Sequence, residues 1–254
     1  MSNPRQVFLD RNILSLSIVI EPVVQTQTMM WGDTESTLDV HGYRRKPLKG
    51  DWTDGEVTCL PTIAALATSG LLKLFVATEV SFEGFKANSV GRGTKGDLFR
   101  NVDIGRCESP IDRSYFKSQT IDQLCDSDEL IEFCETLMTI DAAILKNVPE
   151  FWGRFPEKVK ENFSEIDRLK VVLNALPHKK HWPDAFHLWS AECFGADYFV
   201  TVDQKFINAL TQTARIALPV SIVKPSELLE KLGVEKREPL PFEVGEFINM
   251  MVAH

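Results

Sequence analysis

Long hydrophobic runs are missing from this 254-residue sequence. No segment approaches the roughly 20 consecutive apolar residues of a transmembrane helix. The first residues, MSNPRQVFLD, contain no long apolar run behind a basic segment, as a signal peptide would. The sequence therefore predicts neither a membrane partner nor secretion.

Cysteine and positive charge are also scarce. The five cysteines are an odd number without paired short spacing, which is typical of reduced thiols in a cytoplasmic protein. Lys and Arg total 28 against 36 Asp and Glu, a formal net charge of -8. That balance argues against a protein that coats nucleic acid non-specifically, but it leaves room for a local basic rim around an acidic site.

Short apolar strands alternate with helical segments along the chain, and the strand candidates are apolar on both faces. This pattern predicts an α/β fold in which helices flank a central parallel sheet. The length suits a single domain over residues 1–254. The strand candidates are QVFLD, KLFVAT, YFVTVD and SIV.

Three segments interrupt this alternation. Residues 31–58 and 88–118 are polar or weakly periodic and are predicted to be loops. The tail at about 235–254 ends in an amphipathic piece that packs either on the body or on a partner, which leaves a homo-oligomer open.

Acidic side chains stand where a parallel sheet binds its ligands. Asp10 and Asp203 come at the carboxyl ends of two strand candidates, outside which open parallel sheets bind ligands. Asp184 lies in the first turn of a helix, where the helix dipole favours a carboxylate. Glu79 and Glu83 follow a third strand, four residues apart, so both can face the same way.

Four carboxylates in one cleft repel each other and lose hydration, so such a cluster needs a neutralising partner. A hard divalent cation fits, with Mg²⁺ or Mn²⁺ as the best match for oxygen ligands. Such ions activate water and neutralise a phosphodiester, so the cluster predicts phosphoryl chemistry. Taken singly, Asp10 and Asp203 are better explained as helix caps, and Asp184 as a partner of the helix dipole.

Four segments resemble PIN-domain proteins: VFLDRNIL, VATEVSFEGF, PDAFHLWSAECFGADYFVTVDQKF and SIVKPSELLEKL. The resemblance covers roughly residues 5–30, 60–88 and 165–232, whereas the segment at about 89–165 is longer than in compact members. It implies a three-layer α/β/α fold, here enlarged by helical and loop insertions. It also implies a nuclease that cuts single-stranded RNA with Mg²⁺ or Mn²⁺ and leaves 5′-phosphate and 3′-hydroxyl ends.

The resemblance also implies the roles of particular residues. Matched by position, the catalytic and metal-binding acids are Asp10, Glu83, Asp184 and Asp203. Glu83 is preferred to Glu79 because the second acid should stand about one helical turn beyond the strand. The supporting polar positions are Asn12, two residues after the first acid, and Thr201, two residues before the last.

Other functions remain open at this point. A phosphatase of the haloacid dehalogenase type needs an aspartate where Asn12 stands, so the chemistry excludes it. A non-catalytic PIN-like module that binds RNA or a protein is the main alternative. A toxin whose cleft is blocked by an antitoxin-like protein would share the nuclease chemistry.

Histidine and basic residues near these motifs invite further interpretations. The segment HKKHWPDAFH carries three histidines, but no cysteine pairs with them, so zinc is the minor interpretation. We predict a structural role for His187 and a solvated loop around His178 and His181. The basic runs at 44–46 and 92–95 could contact phosphates, although solvated loops are preferred.

Overall fold

A computed structural model describes residues 3–47, 52–86, 92–213 and 217–249 of the chain. Its central element is a five-stranded sheet whose neighbouring strands are all parallel. The strands of the described residues are β1 (Arg5–Leu9), β2 (Ile20–Trp31), β3 (Thr34–Arg45), β4 (Leu72–Ala77), β5 (Ile104–Cys107), β6 (Tyr198–Val200), β7 (Ser221–Val223) and β8 (Phe247–Asn249). The central sheet has the order β5-β4-β1-β6-β7, with β1 in the middle.

Helices flank this sheet, as the alternating sequence pattern predicts, in an arrangement compatible with three α/β/α layers. They are α1 (Arg11–Leu16), α2 (Trp52–Val57), α3 (Leu60–Thr68), α4 (Thr78–Lys86), α5 (Ile121–Leu124), α6 (Ser127–Thr139), α7 (Ala142–Lys146), α8 (Pro149–Trp152), α9 (Glu157–Ser164), α10 (Ile166–Ala175), α11 (Trp182–Phe194), α12 (Gln204–Asn208) and α13 (Pro225–Lys231). None of the helices in the described ranges is long and apolar enough to cross a membrane.

The middle of the sheet is buried because helices cover it. Val7, Phe8 and Leu9 of β1 are wholly inaccessible to solvent, as expected for a strand covered on both faces. Helix α11 lies in the same core, where Phe186 and Trp189 are buried. The core therefore holds β1 and α11, the two elements that carry the predicted acids Asp10 and Asp184 at their ends.

The prediction of a loop over residues 31–58 is wrong for residues 34–45 and 52–57, whereas residues 48–51 lie outside the described residues. Strands β2 and β3 form a twelve-residue antiparallel ribbon, and α2 follows it. The strands join through a two-residue turn in which Gly32 has a positive φ of 62°. Most side chains of the ribbon are exposed, so the sequence carries little of the periodicity that marks a buried strand.

The tail packs on the body, which was one of the two alternatives. Strand β8 pairs with β3, and Ile248 is buried in a small second core beside Ile20 and Tyr43. Residues 250–254 lie outside the described residues.

The prediction of a loop over residues 88–118 is also wrong for 104–107, which form β5 at one edge of the central sheet. This strand is short and only partly buried, so it lacks the apolar signal of the inner strands. Residues 87–91 lie outside the described residues. The helices that follow pack through an aromatic cluster that includes Phe116, Phe133 and Phe163.

Candidate metal centre

Two of the predicted acids meet because their strands are neighbours. Strands β1 and β6 run side by side and parallel, so their carboxyl ends lie at the same edge of the sheet. Asp10 follows β1 directly, and its backbone N–H donates to the carbonyl of Val200 at the end of β6. Asp203 stands just beyond that strand end. The predicted convergence of Asp10 and Asp203 is therefore confirmed.

Both aspartates also cap helices, as the single-residue interpretation predicts. Asp10 accepts a 2.7 Å hydrogen bond from the backbone N–H of Arg11 at the start of α1. Asp203 accepts 2.9 Å bonds from the N–H groups of Lys205 and Phe206 at the start of α12. Each cap uses one oxygen of its carboxylate, which leaves the other Asp203 oxygen free to meet a ligand.

A buried hydrogen-bond network holds these acids. The Thr201 hydroxyl donates to Asp10 Oδ2 at 2.6 Å. Its oxygen accepts from the Asn12 amide at 3.0 Å and from the backbone N–H of Asp203 at 3.1 Å. The Asn12 side-chain oxygen in turn accepts from the N–H of Val202 at 3.3 Å. Thr201 and Asn12, the two predicted supporting positions, therefore hold the Asp10 carboxylate and each other in place.

The third predicted acid reaches the same place from α11. Asp184 lies in the first turn of this helix, one turn before His187. The ligand atoms of Asp10, Asp184 and His187 all lie within 4.8 Å of one another, and those of His181, Asp184 and Asp203 do the same. Asp184 is shared by both groups, so it joins the two halves of the site.

Two histidines that sequence reasoning assigned elsewhere belong to this site. His181 is buried rather than solvated, and its Nδ1 lies 3.7 Å from both Asp184 Oδ2 and Asp203 Oδ2. His187 is buried with Nδ1 4.0 Å from Asp10 Oδ1. The sequence feature that could have identified them is their spacing of three residues before and after Asp184, because residues at this spacing share a face of a helical segment.

Glu83, and not Glu79, lies at the site. Glu83 is buried, with Oε1 3.8 Å from His187 Nε2 and Oε2 3.2 Å from an Arg11 guanidinium nitrogen. It belongs to neither group of close ligand atoms. Glu79 is used elsewhere: its carboxylate pairs with buried Arg113 and accepts a 3.1 Å bond from Ser109.

Crowding and burial change how these groups ionise. Burial, and after it the nearby Asp10 and Asp203 carboxylates, raise the pKa of Asp184 to about 8. Burial also raises the pKa of Asp10 and of Glu83, against the opposing effects of His187 and Arg11 respectively. The pKa of His187 falls to about 4, again mainly through burial. The site therefore disfavours the full negative charge of its acids unless a cation joins them.

A cavity of about 500 Å³ opens over the acids. Asp10, Glu83 and Asp184 line it together with two cationic side chains, Arg11 and Lys180. Lys180 is exposed and Arg11 is half-exposed beside Glu83. These two side chains form a local basic rim around the acids, which the acidic net charge of the whole chain does not exclude.

The basic run at 44–46 is bonded to the protein itself. Arg44 pairs with Glu21 at 2.6 Å, while Arg45 and Lys46 donate to the backbone carbonyls of Phe242 and Ile18. Because these cationic groups already have partners within the protein, they are less available to bind a phosphate than free side chains would be. Arg44 and Arg45 also lie at the end of β3 and not in the predicted solvated loop.

No family model matches the chain, and neither does any curated protein or solved structure. Function is therefore inferred from the chemistry of the site.

Proposed function

We propose that the protein is a metal-dependent endoribonuclease with a PIN-like fold that hydrolyses phosphodiester bonds of single-stranded RNA with Mg²⁺ or Mn²⁺. The observation that carries the proposal is the convergence of Asp10, Asp184 and Asp203 at the carboxyl edge of the parallel sheet, where Asp10 and Asp184 line one cavity. The four-segment resemblance to PIN-domain proteins supports the choice of RNA.

The residues present fit a divalent cation. Asp184 lies close enough to share an ion with Asp10 and His187 on one side and with Asp203 and His181 on the other, and the two ring nitrogens of buried His187 have no hydrogen-bond partner within the described ranges. When bound, a divalent cation neutralises the phosphodiester and lowers the pKa of the attacking water. Asp184 would hold it together with Asp10 or with Asp203, and Glu83 stands beside His187.

The remaining residues orient the acids and the substrate. Thr201 fixes the direction of the Asp10 carboxylate, and Asn12 fixes Thr201. The Arg11 and Lys180 side chains at the rim supply positive charge to the RNA backbone, which is where most of the binding energy for nucleic acid arises. Both an acidic centre and a cationic rim are expected of a site that cuts a polyanion.

A cleavage assay tests the proposal. End-labelled single-stranded RNA of mixed sequence is incubated with the full chain in Mn²⁺, in Mg²⁺ and in EDTA. We expect cleavage with either ion, no cleavage in EDTA, and products with 5′-phosphate and 3′-hydroxyl ends. Asp10→Asn and Asp203→Asn should each lower the rate by about 100-fold or more, since several kcal/mol of transition-state stabilisation is lost.

Asp167→Asn is the matched control, because Asp167 is an exposed aspartate whose side chain is 89% accessible and which does not line the cavity. It should cleave like the wild type. Full activity in EDTA, or in the Asp10 or Asp203 variant, would refute the mechanism. RNA binding without cleavage in either ion would favour the non-catalytic module.

A further inference from the structure

His187 is unusual among the buried polar side chains. It lies on α11 with 1% of its surface exposed, and within the described ranges neither ring nitrogen has a hydrogen-bond partner. Buried polar groups in proteins are nearly always paired, so two bare nitrogens on one ring call for a ligand. Since the ring lies among Asp10, Asp184 and Glu83, the missing partner belongs to this cluster.

The distances suit a shared cation on the Nδ1 side of the ring. Nδ1 lies 4.0 Å from Asp10 Oδ1. Two ligand atoms that each bind one ion at about 2.0–2.2 Å can be at most about 4.3 Å apart. Asp184 contributes a third atom within 4.8 Å of the other two, so a small side-chain movement completes the set.

The other nitrogen faces a different carboxylate. Nε2 lies 3.8 Å from Glu83 Oε1, while Glu83 Oε2 is held by Arg11 at 3.2 Å. A histidine that binds a metal through one nitrogen commonly donates its other N–H to a carboxylate, which fixes the ring and its tautomer. Glu83 occupies the place of that carboxylate.

We propose that His187 Nδ1 is a nitrogen ligand of the cation held by Asp10 and Asp184, and that Glu83 is a positioning residue that accepts the His187 Nε2–H. This rests on the metal-binding part of the proposed function. It gives Glu83 a role different from the metal ligand that the family resemblance implies. Because a nitrogen ligand favours the later first-row transition-metal ions over Mg²⁺, the centre binds an ion such as Co²⁺ more tightly than Mg²⁺.

Pulsed electron paramagnetic resonance on Mn²⁺ tests the assignment without relying on cleavage. The metal-free full chain receives one equivalent of Mn²⁺, and electron spin-echo modulation reports nitrogen atoms bound to the ion. We expect a ¹⁴N modulation that changes to the ¹⁵N pattern when the histidines alone are ¹⁵N-labelled. This arm uses only the wild-type sequence, so it does not depend on any variant folding.

Variants then identify which histidine binds. His187→Gln should lose the nitrogen signal and lower the Mn²⁺ affinity by about 10–100-fold, whereas His181→Gln should keep the signal. His41→Gln, which changes an exposed residue of the ribbon, is the control for histidine removal in general. Circular dichroism confirms that each variant is folded, and His187→Asn replaces His187→Gln if the latter is not.

Calorimetry tests the metal preference and the role of Glu83. Co²⁺ should bind the wild type at least about 10-fold more tightly than Mg²⁺, and His187→Gln should remove most of that difference. Glu83→Gln should weaken Co²⁺ binding by about 10-fold while the Mn²⁺ nitrogen signal remains, because losing a positioning residue reduces affinity without removing the ligand.

Bound Mn²⁺ without a histidine nitrogen signal would overturn this inference, and so would a signal lost in His181→Gln but kept in His187→Gln. If RNA is still cleaved, either result refutes only this inference and not the proposed nuclease activity. Failure of Mn²⁺ and Co²⁺ to bind at millimolar concentration would refute both this inference and the metal-dependent mechanism.

Discussion

The Thr201 hydroxyl donates a 2.6 Å hydrogen bond to Asp10 Oδ2, although the two residues lie 191 positions apart in the chain. The bond spans the ends of neighbouring strands and is fully buried. The same hydroxyl oxygen accepts from Asn12 and from the backbone of Asp203. One side chain therefore connects the first and last acids of the site.

Thr201→Val tests this connection. The valine has a similar shape but leaves the donors of Asn12 and Asp203 without their acceptor, which should lower the free energy of unfolding by about 1–3 kcal/mol. RNA cleavage should also fall, because the Asp10 carboxylate loses its fixed orientation. Urea denaturation and the cleavage assay measure the two effects. Thr201→Ser keeps the hydroxyl and should retain most of both properties; equal losses in the two variants would contradict the explanation.

The pKa of Asp184 predicts how stability depends on pH in EDTA. Its pKa is about 8 in the folded protein against an ordinary value of 3.8, so the folded state binds this proton more tightly. That contribution to stability is complete below about pH 4 and is lost as the pH rises towards 8. His187 acts in the opposite direction only between its ordinary pKa of 6.5 and its folded value of about 4.

Between pH 6.5 and 8, therefore, the melting temperature in EDTA should fall as the pH rises. Differential scanning fluorimetry measures it. Asp184→Asn removes the titrating group, so its melting temperature should be higher than that of the wild type at pH 8 and should vary less over this range. Saturating Mn²⁺ should raise the wild-type value and have less effect on the variant. A wild-type melting temperature that rises over this pH range would contradict the prediction.

Glu79→Gln separates a structural carboxylate from those of the site. It leaves the Arg113 guanidinium buried without its charge partner, which typically costs about 3–5 kcal/mol. A first-turn carboxylate that served only the helix dipole would contribute much less, about 0.3–1 kcal/mol. Chemical denaturation measures the difference, and at temperatures where the variant is folded its rate of RNA cleavage should equal that of the wild type.

The double variant Glu79→Gln/Arg113→Met is the control for that prediction. Removing the second charge should restore part of the lost stability, because no buried charge is then left unpaired. Additive losses in the double variant would show that the two side chains do not stabilise the fold as a pair.

Lys180→Ala tests the cationic rim. We expect a higher KM for RNA with little change in kcat, because in the proposed function this side chain binds the RNA backbone and not the reacting phosphate. The slope of log affinity against log salt should become shallower by about 0.7, the value for one phosphate contact on a single strand. Lys73→Ala is the matched control: Lys73 is exposed on β4 at the opposite, amino edge of the sheet. Equal effects of the two substitutions would mean that Lys180 has no particular place in RNA binding.

Local patterns in the sequence were enough to predict the α/β alternation and to bring Asp10, Asp184 and Asp203 to one edge of the sheet. Inner strands and amphipathic helices leave local signals, because each must bury an apolar face. The edge strand β5 and the exposed ribbon of β2 and β3 leave little such signal, because backbone hydrogen bonds to a partner strand hold them. Sequence reasoning therefore brought the acids to one edge of the sheet while missing four of the described strands, β2, β3, β5 and β8.

Only the tertiary structure decided which side chains serve those acids. The family resemblance favours Glu83 over Glu79, but what Glu79 does instead depends on Arg113, which lies 34 residues from it. The proximity of His187 to Asp10 and Glu83 likewise depends on how α11 packs against the sheet. Distances between residues far apart in the chain are set by the packing of whole elements, and no local pattern encodes them.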